Sequence, residues 1–78
     1  MTVLVVTAVD AEANAIGDVD GATVVVAGIG RVNAAVAVTR ACSGASPPRA
    51  VISAGVAGIL PGSSLELGDV LVGSHAVY

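Results

Sequence analysis

The sequence predicts an α/β fold, a partial three-layer arrangement of a sheet with flanking helices. Three observations lead there. Apolar runs rich in β-branched residues recur at Thr2–Val9, at Ala22–Ala27 and from Ala50 onward. Continuous runs of that length fit strands of a parallel sheet that is covered on both faces. Stretches with helical spacing separate the runs, as crossover connections between parallel strands require.

Thr2–Val9 reads as a central strand. Asp10 stands where a helix N-cap is expected, Ala11–Ile16 are good helix formers, and Gly17 is a plausible stop. Asp18-Val19-Asp20-Gly21 is a turn by composition. Ala22–Ala27 is a second buried strand that ends at Gly28-Ile29-Gly30. From Arg31 to Cys42, Val32, Ala35, Val36 and Thr39 fall on one helical stripe, and Ala34, Ala37, Val38 and Ala41 on the next. A helix apolar around so much of its circumference is expected to be buried on more than one side. Ser43–Pro48 closes it. Ala50–Leu60 then reads as a doubly buried strand opening into a loop. There Gly55 and Gly58 permit positive φ or the close approach of another group. A last strand is expected over Asp69–Ser74, running on toward Tyr78. In such a sheet, ligands bind beyond the carboxyl ends of the strands, so the loops after the first three strands should frame any pocket.

Composition narrows the function. The 78 residues carry three arginines and no lysine, with a formal net charge of −3, which argues against a nucleic-acid partner. There is no basic leader, and no apolar run approaches the ~20 residues that span a bilayer. A soluble, cytoplasmic protein is expected. Cys42 is the lone cysteine; it is expected to be a small buried hydrophobe and excludes an internal disulfide. Apolar residues make up 55% of the chain and aromatic residues 1%. That is more aliphatic surface than one small domain hides, so self-association or a covering partner chain is expected.

Single residues give weaker signals. Gly28-Ile29-Gly30 precedes a helix, but Asn33 stands where the dinucleotide fingerprint needs a small residue, and no acid follows at the right distance. No cofactor is expected. Arg31 at a helix start is read as an exposed structural arginine. Asp69 should cap a turn, Ser53 has nothing marking it as a nucleophile, and His75 has no companion ligand, so no metal site is expected. Glu12 is either a solvated first-turn acid or a general base in a pocket.

Three segments in register resemble the nucleoside phosphorylase/nucleosidase family. Thr7–Ile16 (TAVDAEANAI) is similar to its opening strand-and-acid segment. Gly28–Ala35 (GIGRVNAA) resembles its glycine turn and helix. Ser53–Gly58 (SAGVAG) with Leu67–Val72 (LGDVLV) and Ala76-Val77-Tyr78 resembles its purine-site loop and following strand. The nearest branches are futalosine hydrolase, favoured by the TAV-D-AE opening, and methylthioadenosine/S-adenosylhomocysteine nucleosidase. The resemblance implies a phosphorylase-like α/β sheet and one nucleosidase-like domain over residues 1–78, corresponding to the amino-terminal portion of the family's domain. It also implies that Glu12 activates water against the N-glycosidic bond of a purine nucleoside. Ala8 and Val9 would line the wall, Ile29 would lie near the sugar, and Val56, Ala57 and Gly58 would form the floor. The family's leaving-group aspartate and its ribose-binding glutamate have no counterpart here. The expected partners are a small nucleoside and either a second copy or a complementary chain. Two other functions fit the residues: a non-catalytic self-associating scaffold, and a small nucleotide-binding module built on the Gly28–Gly30 turn.

Overall fold

The computed structural model describes residues 2–77. Three parallel strands and two helices alternate: β1 (Val3–Thr7), α1 (Asp10–Ile16), β2 (Ala22–Val26), α2 (Arg31–Cys42) and β3 (Ala50–Ser53). The strand order is β2-β1-β3. Val3 pairs with Ala22 on one side and Ala50 on the other, and the two registers run in step to Thr7–Val26 and Val6–Ser53. The connection from β1 to β2 through α1 and the one from β2 to β3 through α2 run in opposite directions across the sheet, so right-handed crossovers put the two helices on opposite faces. The result is a small α/β sheet of the expected class.

Local chemistry accounts for the boundaries. Gly17 ends α1 at φ 68°, its N–H donating to the Ala13 carbonyl. Gly21, at φ 79°, turns the chain into β2, and the Ala22 N–H donates to the Val19 carbonyl at 3.1 Å. α2 begins and ends at the residues its spacing indicates. Of its two apolar stripes, Ala34, Ala37, Val38 and Ala41 are half-buried, whereas Val32, Ala35, Val36 and Thr39 are exposed. Small side chains on the inner stripe let the helix lie close to the sheet.

Several expectations change. Val9, not Asp10, occupies the N-cap of α1, and no side chain caps it. Glu12, in the first turn, instead folds back to accept the Ala8 N–H just before the helix. α2 contains no buried residue, so it is covered on one side only. β3 is exposed along its whole length, because its outer edge has no neighbour in the sheet. Cys42 is exposed at the end of α2.

The strand expected at Asp69–Ser74 does not form; residues 54–77 contain turns but neither helix nor strand. A strand needs a partner's N–H and C=O groups, and this segment pairs with neither free sheet edge. Tyr78, where that strand was to run, lies outside the described residues. Asp69 does cap a turn: its Oδ2 accepts from the Glu66 N–H at 2.8 Å, and its N–H donates to the Glu66 carbonyl at 3.1 Å.

Among the described residues the core is confined to β1, where Leu4 and Val6 are 3% and 5% exposed and Thr7 is buried beside them. Leu4→Ala should therefore cost about 2–5 kcal/mol. Val72→Ala, at a residue 92% exposed, should shift stability by less than about 0.5 kcal/mol. Urea unfolding midpoints of the two variants check the contrast.

Candidate active site

The carboxyl ends of the three strands open into one cleft of about 440 Å³, lined by Thr7 and Ala8 after β1, Ala27, Gly28 and Gly30 after β2, and Ser53–Val56 after β3. The sheet ladder continues one residue into this rim. The Ala27 N–H donates to the Thr7 carbonyl at 2.8 Å, and the Ala54 N–H to the Val6 carbonyl at 3.0 Å. All three loops therefore start from fixed points. Such a crevice, at strand ends where crossovers diverge, is the usual ligand position in an open α/β sheet, and its volume is within the range of small-molecule pockets.

Glu12 reaches into the cleft from the first turn of α1. Its Oε1 accepts the Ala8 N–H at 3.1 Å, and its Oε2 accepts the Val56 N–H at 2.8 Å. One carboxylate thus ties the loop after β1 to the loop after β3, 44 residues away in sequence. The Val56 N–H, then the Ala8 N–H, hold its carboxyl below the ordinary glutamate range; partial desolvation opposes them, and the Val9 N–H adds to the lowering. Hydrogen bonds donated to the ionised form favour that form. Glu12 is therefore an anion at neutral pH, held in one orientation.

The glycine turn after β2 adopts the conformation that only glycine takes readily, with Gly28 at φ 97° and Gly30 at φ 92°. Asn33 folds back over it, its Nδ2 donating to the Ile29 carbonyl at 2.8 Å. A Cβ on Gly28 would lie 3.0 Å from that Nδ2. The turn is braced by its own side chain rather than left open to a pyrophosphate, which weighs against the dinucleotide-module reading. Arg31, at the start of α2, also lines the cleft and is, among the described residues, the one other charged side chain there. Thr7 Oγ1 donates to the Val25 carbonyl over a long 3.4 Å.

Of the residues singled out from sequence, Glu12, Ala8 and Val56 line this cleft. Ala57 and Gly58 line a neighbouring 210 Å³ hollow instead, with Gly55, Ile59, Leu65, Glu66, Asp69, Val70 and Leu71. Val9 and Ile29 lie outside both linings, and Ile29 is 76% exposed. The Ile29 position follows from the turn, whose two positive-φ glycines turn the residue between them outward. Thr7, Ser53, Gly55 and Arg31 are lining residues that sequence patterns did not single out as a site. Their position at strand ends was the available signal. Among the described residues, no group of His, Cys, Asp or Glu is arranged to hold a metal ion, and no helix is long and apolar enough to cross a membrane.

The Glu12 bonds make one part of the structure pH-dependent in a defined direction. The folded protein keeps this carboxyl ionised more strongly than the unfolded chain does. Its stabilisation is therefore present above the ordinary glutamate value and is lost as pH falls through the depressed folded value. Hydrogen exchange of the Val56 amide should accelerate relative to the intrinsic rate over that acid window. In Glu12→Gln this acid-dependent loss of protection should disappear.

No curated protein and no solved structure matches the chain significantly. The sequence profile of the phosphorylase superfamily does match, over residues 7–78, from the last residue of β1 through all three loops of the cleft. The chain belongs to the phosphorylase superfamily.

Proposed function

We propose that the cleft is the nucleoside site of a purine nucleosidase-like protein in which Glu12 activates water for hydrolysis of the N-glycosidic bond. Superfamily membership supports a nucleoside-processing role in general. The observation that carries the finer reading is the Glu12 carboxylate, held between two backbone N–H groups at the mouth of a cleft of about 440 Å³. With one lone pair on each oxygen engaged, the carboxylate can still accept a hydrogen bond from a water facing the cleft. It also places negative charge where an oxocarbenium-like sugar develops positive charge. Val56 at the cleft and Ala57 and Gly58 in the adjoining hollow offer apolar and backbone surface to a base. Ala8 belongs to the wall behind the sugar. Substrates of the futalosine and methylthioadenosine type fit this reading.

Protonation of the departing base needs an acid. Among the described residues, Glu12 is the only carboxylate lining the cleft. We assign that acid to polypeptide that completes the cleft. The exposed surface supports such a covering. A folded monomer of 7.4 kDa exposes about 4,200 Å², against 6221 Å² here. The excess of about 2,000 Å² is what an obligate interface covers. A second copy is the simplest closed partner, and light scattering after gel filtration should return at least twice the chain mass. A well-folded monomer would oppose this.

The catalytic reading predicts release of free base from futalosine or methylthioadenosine. Glu12→Gln should reduce that release by about 10²–10⁴-fold, read as nucleobase by chromatography. Oligomers that release no base from either nucleoside would favour the scaffold reading. Dinucleotide binding in calorimetry, lost in Gly30→Val, would favour the nucleotide-module reading.

A further inference from the structure

We propose that Gly55 is a positioning residue for Glu12, its missing side chain leaving the space in which the carboxylate spans the Ala8 and Val56 N–H groups. An ideal Cβ on Gly55 would lie 2.7 Å from Glu12 Oε2, 3.4 Å from its Cδ and 3.6 Å from Oε1. The first distance is well inside van der Waals contact, so any side chain at position 55 displaces the carboxylate. Conformation does not demand the glycine. Gly55 is not among the positive-φ glycines, so an L-residue could adopt its backbone angles. Space alone requires it. Gly58, three residues on, has nothing within 4 Å of its ideal Cβ and also lacks positive φ.

The colliding atom is the tip of a flexible side chain, so a methyl group at position 55 is relieved by swinging Glu12 away rather than by distorting β3. That separates positioning from folding. Glu12 Oε2 would leave the Val56 N–H, which it meets at 2.8 Å, and the carboxylate would lose its fixed orientation toward the cleft. A misplacement of about 1 Å at a reacting group can cost about 10²-fold in rate. Gly55 offers no side chain to a ligand, so substrate affinity should change far less than turnover. The charged groups near Glu12 are Arg31 across the cleft and Asp10 on the same helix. Both are unaltered in the variants below.

This inference rests on the base role given to Glu12, but its test is independent of activity. Glu12 and Glu66 are the two glutamates of the chain. A carboxyl-¹³C-glutamate sample therefore shows two signals, and Glu12→Gln identifies the one from residue 12. In Gly55→Ala the Glu12 midpoint should rise toward the ordinary glutamate value, with the circular-dichroism spectrum retained. Gly73→Ala, where a Cβ meets open space, should leave the midpoint unchanged. If the protein releases nucleobase, Gly55→Ala should lower kcat by about 10–10²-fold, leave KM within about threefold, and move the acid limb of the pH–rate profile upward. An unmoved Glu12 midpoint in folded Gly55→Ala overturns the proposal, and so does loss of the fold in that variant. Absence of base release from the unmodified protein, with the midpoint shift observed, would overturn the nucleosidase reading and leave the positioning role standing.

Discussion

The bifurcated grip of Glu12 on two backbone amides is the interaction on which the cleft depends. β1 is hydrogen-bonded to a neighbour on both edges, and the ladders fix where the chain leaves the sheet. They do not fix what the loops do next. The loop after β3 has no regular structure beyond Ser53, and its backbone N–H groups need acceptors. The Glu12 carboxylate supplies one to Val56 and one to Ala8. The same two bonds that shape the rim also hold the one acid of the cleft ionised and aimed. Geometry and protonation state thus have a single cause.

The core explains why so much else is exposed. Leu4, Val6 and Thr7 are the buried residues among those described, and all lie on the central strand. A three-stranded sheet with one helix on each face covers its middle strand and leaves both edges open. Small aliphatic side chains close the interior contacts, as at Ala34, Ala37, Val38 and Ala41, but they leave little mass to shield β3 or the outer face of α2. The large apolar exposure from Val51 to Val77 follows from this arithmetic of edges and faces. It is the physical reason to look for a covering surface.

Glycines contribute in two distinct ways, and only the structure separates them. Gly28 and Gly30 are required by backbone conformation, at φ 97° and 92°. Gly55 is required by the carboxylate above it. Gly58 is required by neither. From sequence, Gly55 and Gly58 looked equivalent, two small residues in one loop. The difference arises from Glu12, a residue 43 positions before Gly55, coming to rest over one of them.

The sequence by itself determined the order of the first five elements, the helix Arg31–Cys42, the turn at Asp69 and the placement of the pocket at the strand ends. All of these follow from local periodicity, turn chemistry and the alternation of β-rich and helical runs. Even the α/β class needs no more than that alternation. The superfamily, too, was legible, because its short motifs stand in register along the chain. Only the tertiary structure decided that β3 is an exposed edge, that Asp69–Ser74 stays unpaired and that α2 covers the sheet with one stripe. It likewise decided that Ile29 points away while Thr7, Ser53, Gly55 and Arg31 join the cleft. Burial and strand pairing depend on what lies alongside in space, and an apolar run reads the same whether a neighbour arrives or not.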